Sequence, residues 1–178
     1  LDVSGDVRFE GTRVISAPTV RCGGDWTGNT NFNPSSGTVI FDGNAPQLID
    51  GDFLAFPTVQ IVQGTSVSTA APITIAGPFT VDGDRQTTAA MEFRGAVTVN
   101  TSATFDVGAA QHRFEAGFSC PGVLLATGEF IFYGSSSSIS AADALPSLTL
   151  EGPGTVNTLG QLTVDGDLRL LAGTLSVN

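Results

Sequence analysis

Thr80-Val81-Asp82-Gly83-Asp84, or TVDGD, recurs unchanged at residues 163–167, and a related phrase, DVSGD, occupies residues 2–6. Each copy begins with alternating apolar and polar residues and runs into Gly-Asp, which is typical of a strand followed by a tight turn. Glycine takes positive φ without steric cost, so we predict that conformation at Gly83 and Gly166. One strand–turn unit is therefore used repeatedly along the chain.

Longer matches extend this repetition. GTVIFDG at residues 37–43 resembles GEFIFYG at 128–134, and FPTVQI at 56–61 resembles LPSLTL at 145–150. The order of the matches is kept while the number of residues between them drifts, which indicates strands of constant length joined by turns of variable length. Repetition of this kind is the sequence signature of a repeat architecture.

The repeats predict one domain rather than several. We expect a single solenoid over residues 1–178, consisting of two long repeats, 1–78 and 79–161, and the start of a third, 162–178. The strand pattern that opens the chain suggests a segment of something longer.

The composition favours an all-β fold. The chain has 22 Gly, 9 Pro and only 13% charged residues, and no sustained helical periodicity of apolar residues. Short segments such as Val97–Val99 and Leu148–Leu150 alternate apolar and polar residues, as half-buried strands do. We therefore predict a parallel β-helix (β-solenoid). The alternative is a pair of tandem β-sandwiches, which the single Trp26, next to a Gly-Gly-Asp turn, supports less well.

A solenoid of this length has about eight coils of roughly twenty residues and a rod length of roughly 38 Å at the usual strand spacing. Cys22 and Cys120 would lie about 20 Å apart, beyond the roughly 7 Å Cα separation that a disulfide allows. We expect two free, largely buried thiols.

The charge balance excludes two classes of partner. The net charge is −10, all seven cationic residues are Arg, and the sequence pI is about 4.1. Nucleic acids and anionic membrane surfaces both require clustered cations, so neither is an expected partner. The apolar stretches are too short for membrane insertion.

The phrase GTVIFDGNAPQLIDG, followed by FPTVQI and a Gly-rich turn into TVDGD, resembles repeats of large bacterial surface and secreted proteins. These repeats are similar to the parallel β-helix stalks of filamentous-haemagglutinin-type adhesins. The likeness covers most of residues 37–84 and, more loosely, 128–167. It implies an extracellular stalk or adhesive segment and assigns a role to no residue.

Two sets of residues are candidate ligand sites. Asp82 with Asp84, and Asp165 with Asp167, place two carboxylates around a Gly, and Ca²⁺ prefers such oxygen ligands. Turn formation explains the same pairs, and the Ca²⁺-binding nonapeptide of repeat-in-toxin proteins is missing. We expect no cofactor other than this possible structural Ca²⁺.

The second candidate site is a sugar-binding surface. Trp26 has a polar neighbourhood in which Asn29 and Asn31 offer amide groups, so an exposed indole there would stack on a sugar. For Tyr133 we expect core packing. Ser135–Ser138 reads as a variable loop.

Catalysis is not expected from the sequence. His112 is the sole histidine, and no nucleophile elbow, zinc-ligand spacing or phosphate-binding Gly loop occurs. We expect a non-catalytic structural or adhesive segment of a cell-surface or secreted protein. Its partners would be neighbouring coils of a larger chain or identical subunits stacked end to end, with surface glycans as a further option. The alternatives are a self-assembling filament subunit and a carbohydrate-binding or carbohydrate-active β-helix protein.

Overall fold

The structure is a computed structural model, and it describes residues 1–10, 17–28, 36–51, 54–87 and 89–177. Within these ranges the chain forms 24 short strands and no helix. None of the described residues belongs to a helix with the length and apolarity of a membrane span.

The first half of the chain contains β1 (Asp2–Val3), β2 (Val7–Arg8), β3 (Thr19–Cys22), β4 (Trp26–Gly28), β5 (Thr38–Phe41), β6 (Gln47–Gly51), β7 (Leu54–Phe56), β8 (Thr58–Ile61), β9 (Ser66–Thr69), β10 (Ile73–Ile75), β11 (Phe79–Val81) and β12 (Asp84–Thr87). The second half contains β13 (Met91–Phe93), β14 (Val97–Val99), β15 (Thr104–Gly108), β16 (His112–Phe114), β17 (Phe118–Cys120), β18 (Val123–Ala126), β19 (Glu129–Phe132), β20 (Ser136–Ala141), β21 (Ser147–Leu150), β22 (Thr155–Thr158), β23 (Leu168–Leu170) and β24 (Thr174–Ser176).

These strands form three parallel sheets that stack as a β-solenoid of about 8 turns. The first sheet has the order β1-β3-β5-β8-β11-β14-β17-β20-β22-β24, the second β18-β15-β12-β9-β6-β4-β2, and the third β23-β21-β19-β16-β13-β10-β7. A complete coil visits the first, second and third sheets in turn, as β11, β12 and β13 do. Parallel pairing between successive coils confirms the predicted β-helix and excludes two antiparallel sandwiches.

TVDGD is the corner between the first and second sheets. Its first copy ends β11, turns at Asp82-Gly83 and begins β12. Gly83 does not have the predicted positive φ, which occurs instead at glycines such as Gly64. The reason for glycine is steric, because a Cβ at residue 83 would lie well under 3.0 Å from the carbonyl oxygens of Val62 and Thr65 in the preceding coil.

The second copy of TVDGD lies at a different corner. Val164 forms an isolated parallel bridge with Leu145, and Asp165-Gly166-Asp167 then leads into β23 of the third sheet. Gly166 also lacks positive φ, and a Cβ there would lie close to the carbonyl oxygen of Pro146. The same phrase therefore makes the turn from first to second sheet in one coil and the turn into the third sheet in another.

Aromatic rings stack along the solenoid axis in the core. Inward-facing positions of the third sheet are in register from coil to coil, so Phe93 stacks on Phe114 and Phe114 on Phe132. The Phe93 ring also stacks on Phe79, which points inward from the first sheet. The centroids of the Phe93 and Phe114 rings are 5.1 Å apart and those of Phe114 and Phe132 5.0 Å, both in stacked geometry. This spacing is close to the distance between neighbouring strands, so each coil adds one layer to a continuous apolar column.

Cys22 and Cys120 are free and buried, as predicted. Both lie in the first sheet, where four strands separate β3 from β17, so about 24 Å of stacked sheet lies between them. Burial raises the pKa of Cys22 to about 11 and that of Cys120 to about 12, which keeps both thiols protonated at neutral pH.

Candidate functional site

The first predicted Ca²⁺ pair lies at the corner between β11 and β12. Asp82 accepts a hydrogen bond from Gln60 (Nε2···Oδ2 3.2 Å) and another from the amide of Asn100. Gln60 and Asn100 belong to the coils on either side, so the Asp82 carboxylate connects three successive coils along the axis. Asp84 is exposed on β12. These amide contacts give Asp82 a structural role, and Ca²⁺ binding at this corner stays a prediction.

The second predicted pair is far from the first. Asp165 and Asp167 are exposed at the start of β23, four coils away, and Asp167 forms an ion pair with Arg169 (2.9 Å). In the part of the chain that the structure describes, no group of three or more His, Cys, Asp or Glu side chains has metal-binding geometry. The fold therefore does not bring the two carboxylate pairs together.

The expectation of an exposed indole at Trp26 is wrong. Trp26 is fully buried in β4, and its ring packs against Phe9 (centroids 5.3 Å apart), Phe41 and Phe56. Inward-facing alternation in a strand places this indole in the core, so no sugar has access to its face. Asn29 and Asn31 lie outside the described residues.

Arg85 is a cationic side chain in the solenoid core. It points inward from β12 with 1% of its surface exposed, and its guanidinium donates to the carbonyl oxygens of Val67 (3.1 Å) and Gln86 and to Oγ1 of Thr69 (2.6 Å). None of the salt bridges among the described residues includes it. Burial lowers its pKa to about 9.

His112 is also buried, on β16, with its ring stacked edge-on against Phe130. Its Nε2 lies 3.0 Å from the carbonyl oxygen of Val107, while Nδ1 has no hydrogen-bond partner among the described residues. Burial lowers the pKa of His112, and the nearby positive charge of Arg85 lowers it further, so the ring is neutral at neutral pH. An enclosed imidazole of this kind is unavailable for catalysis on an external substrate.

A network of charged and polar side chains lies on the outer face of the third sheet, which we call the third-sheet face. Its centre is Tyr133, which follows β19. The Tyr133 hydroxyl donates to Oε1 of Glu92 (2.9 Å), two coils away, and lies 3.5 Å from Oε2 of Glu115. Arg94 Nε donates to the same Glu92 oxygen (3.0 Å). One oxygen of Glu92 is thus held by two donors.

Arg113 completes the third-sheet face. Its guanidinium carbon lies 4.9 Å from the centroid of the Tyr133 ring, and Nη2 forms an ion pair with Oε2 of Glu151 (2.9 Å). That pair spans β19, where the outward-facing Ile131 is only 5% exposed. The ring and the carboxylate both contact the guanidinium and orient it over the third-sheet face.

The protonation states of this network argue against acid–base catalysis. Burial raises the pKa of Glu92, but hydrogen bonds from Arg94 and Tyr133 outweigh it and hold that pKa below its ordinary value. Burial and the hydrogen bond to Glu92 both raise the pKa of Tyr133. A general acid needs a raised carboxyl pKa and a tyrosine base a lowered one, so both shifts have the wrong direction for those roles.

A groove of about 320 Å³ lies beside this network. It follows the starts of β10, β13 and β16, where the second sheet turns into the third. Its lining includes Pro72, Thr74, Ala90, Glu92, Gln111 and Arg113. A second groove, of about 310 Å³, continues from Gln111 towards Arg169. The third-sheet face therefore combines charged, amide, hydroxyl and apolar groups beside open space.

Sequence reasoning did not single out Glu92 or Arg113. They are Cα partners in the register of β13 and β16, although 21 residues separate them in the chain. The available signal is a charged residue followed by Phe in two short strands, Met91–Phe93 and His112–Phe114, where alternation turns the middle residue outward. To recognise that Glu92 and Arg113 are neighbours, one has to know that β13 pairs with β16. The variable turn lengths prevent that pairing from being read from the sequence.

No protein-family model, curated protein or solved structure matches this chain. The fold defines it as a parallel β-solenoid, and its function has to be argued from its own residues.

Proposed function

We propose that this chain is a non-catalytic structural segment of a cell-surface or secreted protein, in which the solenoid is a stiff rod that holds other parts at a distance. The resemblance of its repeats to adhesin stalks of bacterial surface proteins supports this proposal. The shape fits as well, since the nine spacings of the ten-stranded first sheet give a rod of about 43 Å.

The observation that carries the proposal is the uninterrupted stacking of the core. Inward positions of successive third-sheet strands are in register, and the rings of Phe93, Phe114 and Phe132 stack directly on one another in the core. A core of this kind extends in one dimension by adding coils, which is what a stalk requires.

Polar side chains on the outside also join successive coils along the solenoid axis. Arg21 pairs with Asp42 of the next coil (2.6 Å), and Gln60 and Asn100 both contact Asp82. Each exposed contact is worth little alone, about 0–1 kcal/mol for an ion pair, but all of them join one coil to the next. The outer surface thus supports extension along the axis.

The filament alternative has one observation in its favour. Leu168 and Leu170 of β23 are 49% and 56% exposed, although they are in register with the buried Leu148 and Leu150 of β21. Any coil that stacks on β23 would cover these leucines, whether it comes from the same chain or from a second copy.

Light scattering and electron microscopy of the purified chain, in Ca²⁺ and in a chelator, separate these possibilities. The stalk proposal predicts single short rods of equal stability in both solutions. The control is Asp84→Asn with Asp165→Asn, which removes one carboxylate from each predicted Ca²⁺ pair and leaves the contacts of Asp82 with Gln60 and Asn100 intact. Long fibres one solenoid wide would replace the stalk by the filament, and rods that form only in Ca²⁺ would make the Asp pairs a metal site.

A further inference from the structure

The third-sheet face contains two opposite charges that are neighbours without being partners. Glu92 and Arg113 are Cα partners on adjacent strands, yet no ion pair of the described residues joins them. Glu92 is bound to Arg94 and Tyr133 through Oε1, and Arg113 is bound to Glu151 through Nη2. Each group is thus positioned by residues outside the groove.

Glu92 and Arg113 therefore keep an acceptor and donors that are available for a ligand beside the groove. Among the described residues, the contacts of Glu92 involve Oε1 alone and the ion pair of Arg113 involves Nη2 alone, so an acceptor oxygen and several donors remain. Gln111 uses its amide nitrogen on Glu129 (2.7 Å), which leaves its carbonyl oxygen as a further acceptor.

We infer that the groove along the starts of β10, β13 and β16 is a binding site for a neutral saccharide, with Glu92 and Arg113 as its polar anchors. A sugar hydroxyl both donates and accepts, so one hydroxyl or a vicinal pair bridges a fixed carboxylate and a fixed guanidinium. Pro72 and Ala90 supply small apolar walls for the C–H face of a sugar ring.

Charge and size support a neutral ligand. An anion meets Glu92, Glu115 and a chain of net charge −10, while a cation meets Arg94 and Arg113. The groove, at about 320 Å³, is at the small end of ligand pockets, and it is open rather than enclosed, which suits a short segment of a glycan. Groups that are already fixed lose little freedom on binding.

This inference does not depend on the stalk proposal, because a stalk that binds no saccharide remains a stalk. Its test is a titration of the ¹⁵N-labelled chain with four neutral tetrasaccharides: cellotetraose, maltotetraose, mannotetraose and tetra-N-acetylchitotetraose. We expect at least one to bind, with a Kd at or below the millimolar range, and to shift the amide signals of residues 73–74, 90–92 and 111–113.

Variants locate the site. Glu92→Gln should weaken binding by at least about tenfold, as expected for the loss of a hydrogen bond to a charged group. Ala90→Arg fills the groove from an exposed position without removing any contact of the network, so it tests the site even where Glu92→Gln disturbs folding. Asp42→Asn, which breaks an ion pair on the first sheet, is the matched control and should leave the Kd unchanged.

Three results would overturn the inference. The first is the absence of binding by all four tetrasaccharides up to about 10 mM, a concentration that detects even millimolar affinity. The second is binding that Ala90→Arg leaves unchanged. The third is a pair of observations. The saccharide shifts amide signals only outside the groove, while glycine, a zwitterion with one charge for Glu92 and one for Arg113, shifts the groove signals.

Discussion

At the residue scale, the unexpected feature is a pair of buried basic side chains in an acidic protein. Arg85 donates its hydrogen bonds to main-chain and hydroxyl oxygens, and no carboxylate among the described residues neutralises it. His112 is near enough for the positive charge of Arg85 to disfavour its protonation, so the imidazole is neutral. Alternation in the sequence puts His112 on the face of Phe114. The burial of Arg85 does not follow from the sequence, because a charged residue in an alternating strand is normally assigned to the outer face.

Replacing Arg85 by Met should stabilise the fold. A buried charge is costly, and an apolar side chain of similar length occupies the same space without desolvation. We expect Arg85→Met to raise the free energy of unfolding by about 1–3 kcal/mol in urea titrations. Arg21→Met, at an exposed ion pair, is the control and should stay within about 0.5 kcal/mol of the unchanged protein. A loss of stability in Arg85→Met would show that its hydrogen bonds outweigh desolvation.

His112 should make the fold sensitive to acid. Its pKa is lowered in the folded protein, so between that value and 6.5 the unfolded chain binds more protons and stability falls as the pH falls. His112→Asn keeps a donor for the Val107 carbonyl and does not titrate. Chemical denaturation at pH 7 and pH 5 should therefore show a smaller loss for the variant. Equal losses would mean that His112 is accessible to protons in the folded state.

At the scale of elements, the sequence predicts the positions of strands and corners better than it predicts which strands pair with one another. Alternation identifies β14 and β21. The serine run is an error of interpretation, since Ser136–Ser138 lie in β20 and pair with β22, where backbone pairing outweighs the turn preference of serine. TVDGD is a corner as predicted, but glycine is needed there for the close approach of two coils, which no local pattern contains.

The corner glycine gives a matched pair of substitutions. Gly83→Ala brings a Cβ against two carbonyl oxygens of the preceding coil, so we expect a loss of at least about 2 kcal/mol. Gly5 holds the same place in DVSGD, and a Cβ there meets nothing within 4 Å. Gly5→Ala should therefore change stability by less than about 0.5 kcal/mol in the same thermal or urea titration. Equal effects would contradict the steric explanation.

At the scale of the whole molecule, every sheet pairs one coil with the next, so stability comes from contacts between nearest neighbours. The candidate site has the same origin. Glu92, Arg113 and Tyr133 belong to three successive coils, and only their stacking makes a single surface of them. The repeats in the sequence predict the solenoid. They do not predict the candidate site, because the register between successive coils decides which outward-facing residues become neighbours.

Pulling the chain from both ends in an optical trap tests this account most directly. If the coils are held only by their neighbours, the rod should lengthen in steps of about 60 Å, the extended length of one coil of roughly twenty residues less one strand spacing. Arg113→Ala with Glu151→Ala should lower the force of the steps near β16 and β21 alone. A single all-or-none rupture of the whole chain would contradict a rod made of separately stacked coils.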